Sequence, residues 1–78
     1  MDFRRLTYFV AVAEELHFGR AATRLGIAQP PLSRQIGQWE TDLGVQLFDR
    51  SRSQIRRTQA GEALLKRGRH ILQQVERA

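Results

Sequence analysis

Seventy-eight residues without a cysteine allow one small domain held by an apolar core, and exclude disulfides and cysteine-based zinc sites. No apolar run nears the roughly 18 residues of a membrane span. The formal charge of +5 favours an anionic partner, and its distribution supports that: residues 16 to 39 and 50 to 61 contain no Asp or Glu, yet hold seven arginines, whose planar forks fit phosphate and guanine edges.

Residues 2 to 16 have the period of an amphipathic helix. Phe3, Leu6, Phe9, Val10, Ala13 and Leu16 form its inward stripe, with Asp2 at the N-cap position. This start leads into no long apolar stretch, so it is not a signal peptide, and a soluble cytoplasmic protein is expected. Glu14 and Glu15 are adjacent, point apart on a helix, and read as a solvated helix end. A short second helix is expected over about residues 19 to 25, with Ala21, Ala22 and Leu25 inward. Gly26 is a left-handed stop, and Ile27 plugs the turn into the core.

A third helix is expected from about residue 29 to 43, with Pro30 and Pro31 in its first turn, where missing N–H groups cost little. Leu32, Ile36, Trp39 and Leu43 make the inward stripe, and Gly44 ends the helix. Gln29, Pro30, Ser33, Arg34, Gly37 and Gln38 face outward. Two helices joined by a tight turn, spanning about residues 18 to 37, form a helix-turn-helix. A second helix with a polar, basic outer face suits a DNA groove.

Val45 to Arg50 and Ile55 to Thr58 are short apolar-bearing segments around the polar tip Ser51-Arg52-Ser53-Gln54. They read as a β-hairpin over about residues 46 to 57, the wing of a winged helix. Arg50, Arg52, Arg56 and Arg57 cluster there, suited to phosphate or minor-groove contact. The segment from 59 to 78 reads as a last helix with Thr58 as its N-cap. Gly61, Gly68 and Val75 fall at heptad a positions and Leu64, Ile71 and Ala78 at d, widened by Leu65 and Leu72. So wide a stripe suggests a second protomer, with Leu64, Ile71, Leu72 and Val75 at the shared surface. The alternative is that all of it packs on the first helix of its own chain.

With these residues laid out, the chain resembles the N-terminal DNA-binding domain of LysR-type transcriptional regulators. The matching words are Arg5 to Glu15, Phe18 with Arg20-Ala21-Ala22, Arg24-Leu25, Gln29 to Ile36, Glu40, Leu43-Gly44-Val45, Leu47 to Arg50, and Thr58 with Ala60-Gly61. The resemblance implies a bacterial regulator that binds double-stranded promoter DNA at interrupted inverted repeats. It implies a homodimer through the linker helix, a tetramer when intact, and a missing effector-binding domain that takes a small molecule. No cofactor is expected in this chain. By position, Gln29, Pro30, Pro31, Ser33, Arg34 and Gln38 would meet the major groove, and Arg50, Arg52, Ser53 and Arg56 the phosphates or minor groove. The wording Ile27 to Arg34 resembles members that regulate aromatic-compound breakdown.

Four residues depart from the family's pattern. Trp39 stands where Leu is usual. His17 and Gly19 replace the usual Ser or Thr, which is expected to weaken the cap of helix two. Ala28 replaces a common Ser at the start of helix three, with the same loss expected.

The expected fold is therefore mainly α: a winged helix-turn-helix over residues 1 to 58, with a three-helix core and a small hairpin wing, then a long linker and dimerisation helix over 59 to 78. An enzyme is disfavoured, since His17 and His70 are the only neutral-pH bases and no nucleophile motif or Gly-rich phosphate loop is present. A winged-helix protein–protein module is the remaining rival. It should show apolar or acidic residues on the face where this chain has Gln29, Ser33 and Arg34.

Overall fold

The computed structural model describes residues 2 to 77. Helix α1 runs Phe3–Glu15, and Asp2 caps it by accepting from the Arg4 and Arg5 amides at 3.0 and 3.3 Å. It stops at Leu16, which takes a left-handed φ of 51°. Helix α2 is Phe18–Leu25 and ends at Gly26, φ 70°. Helix α3 is Gln29–Leu43, with both prolines in its first turn. Strand β1, Phe48–Asp49, pairs antiparallel with β2, Arg56–Arg57, in the register Phe48 to Arg57 and Asp49 to Arg56. Helix α4 is Gln59–Arg77. Ala78, expected at a d position, lies outside the described residues. No helix among the described residues is long and apolar enough to cross a membrane.

The core forms where α1 crosses the other helices. Leu6, Phe9, Val12, Ala21, Leu32, Ile36, Leu47 and Phe48 are all essentially inaccessible. Phe9 sits at its centre, with the Trp39 ring edge-on at 6.1 Å and the Phe48 ring tilted at 5.4 Å. Trp39 thus extends the aromatic cluster rather than disturbing it. Phe3 and Leu43, expected inward, are 52% and 49% exposed. Both lie at helix ends, where the period still places them on the apolar side but the neighbouring element no longer covers them. The inward stripe of α3 runs instead through Leu32, Ile36 and Glu40, all buried.

The glycines of α4 explain its placement. Gly61 is buried, and a Cβ there would run into the Leu47 carbonyl oxygen. Gly68 is buried against Leu6 and Val10 of α1, with a Cβ meeting them at 3.0 and 3.2 Å. These small residues do permit close helix contact, but within one chain. Leu65 is buried and Leu64 and Leu72 are half-buried on the same core. Leu72, expected at a protomer surface, is thus largely occupied by its own chain. Ile71 is half-buried and Val75 is 51% exposed.

Glu14 is not a solvated helix end. Its carboxylate accepts from Arg24 of α2 and Arg69 of α4, both at 2.7 Å, so one side chain joins three helices. Partial burial pushes the Glu14 carboxyl up, but the hydrogen bonds from Arg24 and Arg69 outweigh it and leave the group below its ordinary value. A group depressed in the folded state stabilises fully above its unfolded value, about 4.3 for Glu. That stabilisation is lost as pH falls through the folded value. The thermal midpoint of the wild type should therefore lie above that of Glu14→Gln at neutral pH and converge with it in acid. Parallel curves down to low pH would show that the clasp contributes nothing.

Candidate nucleic-acid interface

The helix-turn-helix is held by caps that place its two helices against each other. The His17 imidazole Nδ1 accepts from the Arg20 amide at 2.9 Å, so His17 caps α2 where a weakened cap was expected. Its ring lies over Gly19, where a Cβ would come within 2.9 Å of the imidazole Cε1. The two departures from the family's wording are therefore one device: an imidazole cap and the space it needs. Ala28 makes no side-chain cap bond at the start of α3, as its missing hydroxyl implied.

The N-terminal half of α3 presents a polar exposed face. Gln29 donates through its side-chain amide to the Ser33 hydroxyl at 2.8 Å. This orients both groups and leaves the Gln29 carbonyl oxygen, its second N–H and the Ser33 O–H for a partner. Pro30 and Arg34 are exposed, and Pro31 and Ser33 half-buried. The C-terminal half is different. Gln38 donates to Asp42 at 2.9 Å, and Asp42 also takes Arg5 of α1 at 2.8 Å. Arg5, and after it Gln38, hold the Asp42 carboxyl below the usual carboxylate range. Gln38, expected to reach DNA, is thus tied to an anion, and the face suited to phosphate ends near Arg34.

The arginines divide into two sets. Arg24 lies on Glu14 and Glu15, and Arg50 on Glu40. Arg57 pairs with Glu62 and donates to the Ala13 carbonyl. Arg20 reaches Glu15 only at 4.0 Å. Among the described residues, Arg34, Arg52 and Arg56 form no ion pair. Arg50, expected at the phosphates or minor groove, is engaged within its own chain. Both terminal nitrogens of its guanidinium meet the Glu40 carboxylate, at 2.9 and 3.2 Å, and it lies 5.5 Å from the Phe18 ring centroid. These contacts build it into the fold.

At the wing tip, Asp49 accepts from the Ser51 amide at 2.9 Å and its hydroxyl at 2.6 Å, closing the turn and holding the Asp49 carboxyl low. Arg52, Ser53 and Arg56 stay exposed. A cleft between the start of α2 and the wing, lined by His17, Arg20, Ser53 and Gln54 among others, makes these elements one surface. Sequence reasoning missed Glu40 as an organising residue. The signal was there: Glu40 follows Leu32 and Ile36 at the same four-residue step.

The family model described as "Bacterial regulatory helix-turn-helix protein, lysR family" matches residues 3 to 62. The chain belongs to the LysR family. It is 52% identical over 75 residues to the transcriptional regulator AlsR of Bacillus subtilis, covering 96% of this chain and 25% of that protein. It is 50% identical over 76 residues to the regulator ClcR of Pseudomonas putida, covering 97% and 26%. The LysR chain thus spans about a quarter of the length of these relatives. Among solved structures it superposes on the BenM DNA-binding domain in complex with catB site 1 DNA, with a TM-score of 0.94 and 44% identity over 99% of this chain and 86% of that one. The CbnR DNA-binding domain in its DNA complex gives 0.89 and 48%, over 99% and 88%. The chain is therefore a LysR-type winged helix-turn-helix DNA-binding domain, not an enzyme.

Proposed function

We infer that the domain reads an interrupted inverted repeat in promoter DNA, as a homodimer, with the start of α3 in the major groove and the wing tip near the minor groove. The observation that carries this is the placement of unpaired charge: among the described residues Arg34 at the start of α3 and Arg52 and Arg56 on the wing are exposed and form no ion pair, as do Arg4, Lys66 and Arg67 elsewhere, and the first three stand at the two places a winged helix offers to a duplex. Gln29, Pro30, Pro31, Ser33 and Arg34 are the reading set, and Arg52, Ser53 and Arg56 the backbone set. Pairing uses the flank of α4 left over by the core, Ile71 and Val75 with the outer edge of Leu64. The whole regulator acts in the bacterial cytoplasm, assembles as a tetramer, and binds a small-molecule effector in a further domain, with no cofactor in the present one.

Gln29→Ala tests the reading. The amide, already oriented by Ser33, offers a donor and an acceptor suited to adenine. Its loss should cost about 1–3 kcal/mol on a selected site and little on mixed-sequence DNA. Equal losses on both would show that Gln29 does not specify.

A further inference from the structure

We propose that Glu40 is a positioning residue for DNA recognition: from inside the protein it fixes the wing relative to α3, so that Arg52 and Arg56 reach phosphates while α3 reads bases. This rests on the reading above that the wing contacts DNA. Glu40 is 4% exposed and lies in the core stripe of α3. Its Oε2 accepts from the Leu47 and Phe48 amides at 2.7 and 3.2 Å. Both oxygens meet the guanidinium of Arg50, which also lies near the rings of Phe18 and Phe48. One side chain of α3 thereby holds the wing strand where it enters and where it leaves, and through Arg50 reaches the first residue of α2.

The wing cannot place itself. Its strands are two residues long, and a ladder that short is marginal alone. The return strand is tied elsewhere, by Arg57 to the Ala13 carbonyl and to Glu62 of α4. Among the described residues, the side-chain hydrogen bonds that join the wing to the reading helix run from the entering strand and Arg50, and Glu40 accepts them. Apolar side chains of similar volume often replace a buried ion pair without loss of stability. The pair's role is therefore directional: a carboxylate accepting from fixed donors sets an angle that a leucine would not.

The test is the salt dependence of binding of the 78-residue chain to a mixed-sequence duplex of about 30 base pairs, three helical turns. It compares wild type, Glu40→Gln, the double variant Arg52→Ala/Arg56→Ala, and all three changes together. Circular dichroism at the same temperature establishes that each is folded. The double variant should lower the slope by about two units, one per phosphate contact. Glu40→Gln should lower it by about as much, and add nothing to the double variant. Removing a negative charge would by itself raise the slope, so a fall reports position. If Glu40→Gln is folded and keeps the slope while the double variant loses it, the proposal is overturned. If the double variant also keeps the slope, the wing reading fails first and the proposal with it. Should Glu40→Gln not fold, Arg50→Lys carries the same comparison, keeping the charge and losing the fork. If neither folds, Glu40 serves stability alone and the proposal is overturned.

Discussion

Glu40→Ala should destabilise the domain by on the order of 3 kcal/mol, the range for leaving a charge and two amides without their partner. Two buried backbone N–H groups, of Leu47 and Phe48, lose their acceptor, and Arg50 loses its carboxylate beside two phenylalanine rings. Arg50 keeps some access to water, so its share is smaller than that of a sealed pair. A domain of this size has a total stability of roughly 4–12 kcal/mol, so the variant should be marginal at physiological temperature. The midpoint of thermal unfolding should fall by roughly 15 °C. A fall of only a few degrees would mean that water or neighbouring groups replace the carboxylate.

Gly61→Ala is the second large effect. Alanine favours a helix over glycine by about 1 kcal/mol, and on an open surface the change would stabilise. Here the methyl meets the Leu47 carbonyl, which already accepts from the Thr58 amide at 3.0 Å. The carbonyl cannot swing aside without losing that bond, and Thr58 also anchors the segment by donating to the Gln46 carbonyl at 2.7 Å. Helix α4 must move outward instead, at a cost of about 1–3 kcal/mol. Gly68→Ala is the control, because its methyl meets side-chain atoms of Leu6 and Val10 at 3.0 Å and beyond, and no backbone carbonyl. Chemical denaturation should rank Gly61→Ala well below Gly68→Ala. The reverse order would mean that α4 is not seated on the Leu47 carbonyl.

The helices were legible because their ends are written in local chemistry. Asp2, Gly26, the two prolines and Gly44 each mark a terminus, and α3 spans the expected residues. The wing was legible as a hairpin from two apolar-bearing segments around a polar tip. What was not legible depends on distance in space. Arg24, Arg50 and Arg57 stand in stretches without acids, yet lie on Glu14, Glu40 and Glu62 once the chain folds. A run free of acids in sequence is therefore not a free basic face. Gly61 and Gly68 stand at heptad a positions of a stripe expected to reach a second protomer, yet they lie against the Leu47 carbonyl and α1 of the same chain. His17 was read by residue type as a poor cap, whereas its ring nitrogen accepts a backbone amide as an oxygen would.

Two copies of this domain should read DNA through the start of α3 as a symmetric pair. Selection from a random duplex library, followed by hydroxyl-radical footprinting on the enriched sequence, tests it most directly. Two half-sites in inverted orientation are expected, their centres about one helical turn or slightly more apart, each protected in the major groove. Enrichment of a single unsymmetrical site, or no enrichment above mixed-sequence DNA, would contradict it.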